Sequence, residues 1–127
     1  IFKSFNQRKD RSLNWCGFYF ARGDTLVLGP FQGAPAVVRI AFTAGVCGRC
    51  ATRKETIVVD DVHTDPEHIA CDAASNSEIV VPIFRPGTKD LVAVLDIDSP
   101  NVSNFTAEDR SLLETVAEAL MNGCDWP

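Results

Sequence analysis

Apolar and polar positions alternate in short runs over most of the chain and change to a helical period only near its end. Asn14–Phe20 (NWCGFYF) is an aromatic run of strand type. Arg22-Gly23-Asp24 reads as a turn and Thr25–Leu28 as a second strand, which closes a hairpin. Gly29-Pro30 and Gly33-Ala34-Pro35 punctuate a loop before a third strand, Ala36–Ile40. The pattern then predicts a short helix over Gly45–Lys54 and a fourth strand over Thr56–Val59. Ser77–Phe84 (SEIVVPIF) and Leu91–Asp98 (LVAVLDID) predict two further strands, joined by a turn at Arg85–Lys89. Thr106 and Asp109 stand at the spacing of a capping box, with Asp in place of Glu. Behind them Leu112, Leu113, Val116, Ala117 and Leu120 recur at helical spacing until Gly123. Ile1, Phe2 and Phe5 fit one side of a helix end, as of an N-terminal helix whose beginning is missing.

The order is helix, three strands, helix, strand, long loop, two strands, helix. Hairpin-joined strands with helices around them predict an antiparallel α+β sandwich. The last helix is expected on one sheet face beside the N-terminal helix, and the short helix and long loop on the other. That loop, Asp60–Asn76, is DDVHTDPEHIACDAASN and has few signals of either regular structure. Long loops in compact domains are usually functional, and a pocket between loop and sheet is the default ligand site.

Length and composition narrow the picture. The 127 residues suit one domain with a core of its own, and 46% hydrophobic residues exclude disorder. With 17 acidic and 12 basic residues the net charge is −5, which argues against nucleic-acid binding. No apolar run approaches the roughly 20 residues of a membrane span. The five cysteines, Cys16, Cys47, Cys50, Cys71 and Cys124, cannot form a closed disulfide framework. A reducing, cytoplasmic compartment with thiols kept for chemistry is the expectation.

Four constellations could carry that chemistry. Cys47-x2-Cys50-x12-His63-x4-His68 fits the spacing of a zinc finger, but Pro66 separates the histidines and a strand signal separates them from the cysteines. No metal is therefore assigned. Cys71 lies in the long loop, with His68 three residues before it and Asp72 directly after; a cysteine in a polar loop is a nucleophile candidate. Asp96 and Asp98 share a sheet face, and a hairpin centred on Gly87 sets Glu78 opposite Asp96. Three acids on one face repel, so at least one should titrate high and hold a proton, or together they should bind an amine. Trp15 and Tyr19 share a face of the first strand, as core or as a pocket wall.

The strings NWCGFYF, LVLGPFQGAPAVVRI, GVCG, DVH, HIACDAASNSEIVVP and VLDIDSP together resemble the free methionine-(R)-sulfoxide reductases, which are single GAF domains. The resemblance covers about residues 14–110. It implies one GAF domain over 1–127, with a six-stranded antiparallel sheet, flanking helices and a pocket covered by the long loop. It implies thiol-dependent reduction of free methionine-R-sulfoxide to methionine. Cys71 would be the nucleophile that becomes a sulfenic acid, with Cys47 of GVCG as the second thiol. Trp15, Tyr19, Glu78, Asp96 and Asp98 would hold the substrate, one of the three acids giving the proton to its oxygen. Position 37 is Val where the family carries a third cysteine, so the resolving thiol is Cys47, Cys50 or an external glutathione. No cofactor is implied, only an external thiol reductant such as thioredoxin or glutathione; a homodimer is allowed for. The alternative is a GAF module that binds a small molecule without reacting.

Overall fold

The computed structural model describes residues 12–66 and 75–123. The expected N-terminal helix, Cys71, Cys124 and His68 lie outside the described residues.

Six strands form one antiparallel sheet: β1 (Trp15–Arg22), β2 (Thr25–Gly33), β3 (Arg39–Ala41), β4 (Ile57–Val59), β5 (Ser77–Phe84) and β6 (Leu91–Ser99). Their order across the sheet is β3-β2-β1-β6-β5-β4. The first and last strands therefore meet at the centre, and β5 and β6 are buried along almost their whole length. Among the described residues two helices, α1 (Gly45–Arg53) and α2 (Ala107–Gly123), cover opposite faces. Together they make the GAF-like arrangement that the family resemblance implies. Among the described residues no helix is long and apolar enough to cross a membrane.

Strand alternation divides the core into two. Trp15, Tyr19, Val80 and Val94 point to the α1 side, with Val46, Cys47 and Cys50. Ile79, Val81, Leu95 and Ile97 point to the α2 side, with Leu113 and Ala117. The expected helix begins as its capping box requires. Thr106 N–H donates to Asp109 Oδ2 at 2.9 Å, and Asp109 N–H donates to Thr106 Oγ1 at 3.2 Å. Leu112 is exposed at 41%, so the buried stripe runs through Asp109, Leu113 and Ala117.

Three details depart from the sequence reading. The second strand does not stop at Gly29. It continues to Gly33 through a bulge, because Gly17 pairs with Phe31 while Tyr19 pairs with Leu28. Gly29 and Pro30 occupy that bulge, where a missing ladder N–H does no harm. The third strand shrinks to Arg39–Ala41. The β5–β6 hairpin is centred one residue later than Gly87, so Glu78 faces Asp98 and Val80 faces Asp96. That change moves Glu78's partner by two positions, which preserves the face; a shift of one would have turned the acids away from the site. A further irregularity between Ile83 and Phe84 puts Val92 in the α2-side core, while Val94 stays with the acids' face.

Candidate functional site

Neighbouring strands bring the acids together on the α1 face. Trp15 of β1 and Glu78 of β5 both pair with Asp98 of β6, and Gly17 and Val80 both pair with Asp96. Glu78, Asp96 and Asp98 are all buried, none more than 3% exposed. Three carboxyls in so little water cannot all ionise at ordinary pH. Burial, and next the charge of Asp98, push the Glu78 carboxyl up to about 8, against a hydrogen bond with Asp96 that works the other way. The cluster therefore keeps a proton at neutral pH, and Glu78 is a carboxyl raised toward holding it.

Helix α1 sets a thiol on this cluster. Cys47 donates its S–H to Asp96 Oδ2 at 3.3 Å. The Cys47 sulfur and the Glu78 and Asp96 carboxyl oxygens lie within 4.8 Å of one another. Close docking of the helix depends on Gly48, where a Cβ would stand 2.7 Å from Ala41 O and 2.9 Å from Phe42 O. Thr52 Oγ1 donates to Phe42 O at 2.7 Å and fixes the same approach one turn on.

The aromatic pair forms the neighbouring wall. The Trp15 ring stacks on Tyr19 (6.1 Å between centroids) and on Phe31 (5.6 Å). It can lie flat because position 17 has no side chain: a Cβ there would be 2.6 Å from both the Trp15 ring and Phe31 Cβ. Both polar tips then tie down the segment between β2 and β3. Trp15 Nε1–H donates to Ala34 O at 3.0 Å, and Tyr19 O–H donates to Val37 O at 2.8 Å. Val37 itself is half-exposed, while Trp15 and Tyr19 are fully buried.

The structure thus brings Cys47, Glu78, Asp96, Asp98, Trp15 and Tyr19 to one face. Of the other two thiols among the described residues, neither belongs to the close group of donor side chains. Cys50 is wholly enclosed in the α1-side core, and burial followed by the charge of Asp96 raises its thiol far out of reach of ionisation near neutrality. Cys16 points to the opposite side of the sheet, against the α2-side core, and burial takes its thiol up to about 12. The metal spacing noted in the sequence does not assemble among the described residues. His63 is exposed, with Nε2 and Asn76 Oδ1 2.8 Å apart, and the close group of donor side chains includes neither it nor Cys50.

Sequence reasoning missed one part of the site. Arg49 on α1 and Asp65 beyond β4 form an ion pair, Nη2 standing 2.7 and 2.9 Å from the two carboxylate oxygens. Asp65 ends the one-turn helix Val62–Thr64, and the chain runs on from it into the segment that carries Cys71. That segment's far end is tied by Asn14 Nδ2–H to Ser75 Oγ at 2.9 Å and Asn76 N–H to Ser99 O at 2.7 Å. An arginine amid the small residues of GVCGRC was the available signal, but no spacing rule pairs it with Asp65.

Comparison with known proteins agrees with this geometry. A family model described as GAF domain matches residues 10–122. The free methionine-R-sulfoxide reductase of Escherichia coli is 50% identical over 107 residues, 84% of this chain and 64% of that protein. The enzyme of the same description from Saccharomyces cerevisiae is 45% identical over 115 residues, 88% of this chain and 63% of that protein. The chain thus spans somewhat less than two thirds of the length of these relatives. Among solved structures, fRMsr of Staphylococcus aureus in complex with substrate superposes with a TM-score of 0.83 at 44% identity, covering 95% of this chain and 77% of that one.

Proposed function

The chain belongs to the free methionine-R-sulfoxide reductases, a family of GAF domains, and from that premise we propose that it reduces free methionine-R-sulfoxide to methionine with its own thiols. The observation that carries the reading is the buried group of Cys47, Asp96 and Glu78, the last with its carboxyl raised by burial. It supplies a proton and a thiol at one place, which a module that only binds has no need of.

Glu78 gives its proton to the sulfoxide oxygen, which makes the sulfur electrophilic. The Cys71 thiolate attacks that sulfur. The hydroxyl passes from the methionine sulfur to the Cys71 sulfur as the transient bond between the two sulfurs breaks; methionine leaves reduced, and Cys71 is left as a sulfenic acid. Cys47 then attacks Cys71. Its proton passes by way of Asp96, to which its S–H already points, to the departing hydroxyl of Cys71, and water leaves as the disulfide forms. An external thiol such as thioredoxin or glutathione returns both cysteines to the reduced state. A thiol that donates to a carboxylate suits this second step better than the first, and the close group with Glu78 and Asp96 contains Cys47 and not Cys50, which supports Cys47 ahead of it. Asp98, with Asp96, holds the substrate's ammonium group, which favours the free amino acid over a residue within a protein. Trp15 and Tyr19 shape the side that receives the methyl group. The cytoplasm, where thiol reductants are supplied, is the compartment this cycle requires.

Separate assays with the R and S epimers and dithiothreitol test the reading. Turnover of R alone, lost in Cys71→Ser, is the expected result. Binding without turnover of either epimer would replace it with the sensory alternative. Intact mass after one turnover without reductant should show loss of two hydrogens, and in Cys47→Ser a sulfenic acid instead.

A further inference from the structure

The Arg49–Asp65 ion pair plays no part in the steps above, yet it is built into the site. Its side chains are only 17% and 10% exposed, so both charges are largely stripped of water, a cost that a loose surface pair does not bear. Arg49 lies two residues beyond Cys47 on α1. Asp65 is fixed from the other direction, because its turn is fastened to the start of β5. Val62 N–H donates to Asn76 O at 2.9 Å, and His63 Nε2 meets Asn76 Oδ1 at 2.8 Å. Asn76 is two residues ahead of Glu78, and Val59, at the end of the preceding strand, pairs with Glu78 directly.

We infer that Arg49 and Asp65 are positioning residues for the proposed reduction: locked to each other between α1 and the turn that follows Val59, the strand partner of Glu78, they set the charge balance under which that carboxyl holds the proton meant for the sulfoxide oxygen. The inference rests on the reductase reading for its catalytic meaning, but not for its physical content. The charge of Asp65 works to raise the Glu78 carboxyl and the charge of Arg49 works to lower it. Other groups face Glu78 as well: Asp96 and Asp98 from β6, Cys47 and Cys50 from α1, and Tyr19 from β1. Glu67, His68, Cys71 and Asp72 of the neighbouring segment carry further titratable groups outside the described residues. All of these are common to the variants compared below.

Opposite signs give the test its force. A pair that merely braces α1 would be broken alike by removing either partner. A pair that tunes Glu78 responds in opposite directions. The Glu78 carboxyl is followed by carbon NMR in the full chain, its signal assigned by its absence in Glu78→Gln, and pH–rate profiles are recorded with free methionine-R-sulfoxide. Arg49→Met should move the carboxyl midpoint and the alkaline limb of activity to higher pH, and Asp65→Asn should move both lower, each by about half a pH unit or more. The double variant should return close to wild type, and Arg49→Lys should stay there. Single variants that shift the same way, or that slow the enzyme with the midpoint unmoved, would overturn the inference. If one single variant does not fold, the other and the double variant carry the comparison. If the chain reduces neither epimer, the reductase reading falls, while the carboxyl titration still decides the role of the pair.

Discussion

At the scale of single residues, Glu78 couples chemistry to stability. Folding raises its carboxyl from 4.5 to about 8, so between those values the folded chain binds more protons than the unfolded one. Stability must then fall as pH rises through that window and level off above it. Glu78→Gln removes this dependence. Urea unfolding should find the variant more stable than wild type at alkaline pH, with the gap closing as the pH falls toward the ordinary carboxylate range. A tenfold change in proton affinity is worth about 1.4 kcal/mol, which puts the alkaline gap at a few kcal/mol. The same substitution removes the proposed proton donor. Turnover should fall about 10²–10⁴-fold, and the alkaline limb tied to this group should vanish from the profile. Tyr19→Phe reaches the site from the other wall. It loses the bond to Val37 O and should cost about 1 kcal/mol, with KM for the sulfoxide affected more than kcat if the ring is only a wall.

At the scale of elements, α2 shows how a local motif survives into the fold. Its two reciprocal capping bonds satisfy backbone donors that the first turn leaves open. Thr106→Ala should cost about 1 kcal/mol in chemical denaturation. Asp109→Ala should cost more, about 1–3 kcal/mol, because Asp109 is fully buried, so its loss leaves a gap at the start of the helix as well as an unmet Thr106 N–H. Neither residue is near the acids, so kcat should be unchanged in both. Helix α1 is the opposite case. Ala44 makes no side-chain cap bond, and the helix ends on Lys54 in the left-handed region. What holds it is the close seat at Gly48. Gly48→Ala should force α1 off Ala41 and Phe42 and draw Cys47 away from Asp96, so the loss in disulfide formation should exceed the loss in stability.

At the scale of the whole molecule, one sheet supports two cores with different duties. The α2-side core is almost wholly apolar, whereas the α1-side core carries the buried acids and the thiol. Leu113→Ala, in the first, should cost about 2–5 kcal/mol and leave turnover intact below its lowered melting temperature. Because both cores share β1, β5 and β6, thermal unfolding should remain one transition by circular dichroism and fluorescence alike.

By itself the sequence determined the strands, the last helix and its cap, and which face each acid takes. These follow from local period and spacing: a strand alternates every two residues whatever it packs against, so Glu78, Asp96 and Asp98 were bound to share a face once β5 and β6 formed a hairpin in an even register. The strings around GVCG, SEIV and LDID likewise carried the family resemblance. Only the tertiary structure decided that Glu78 faces Asp98, that Cys47 donates to Asp96 while Cys50 is enclosed three residues away, and that Arg49 meets Asp65. Each depends on where an element comes to rest against another, through a bulge, a glycine seat or a turn pinned to a distant strand. Such contacts join residues far apart along the chain, and no local period encodes them.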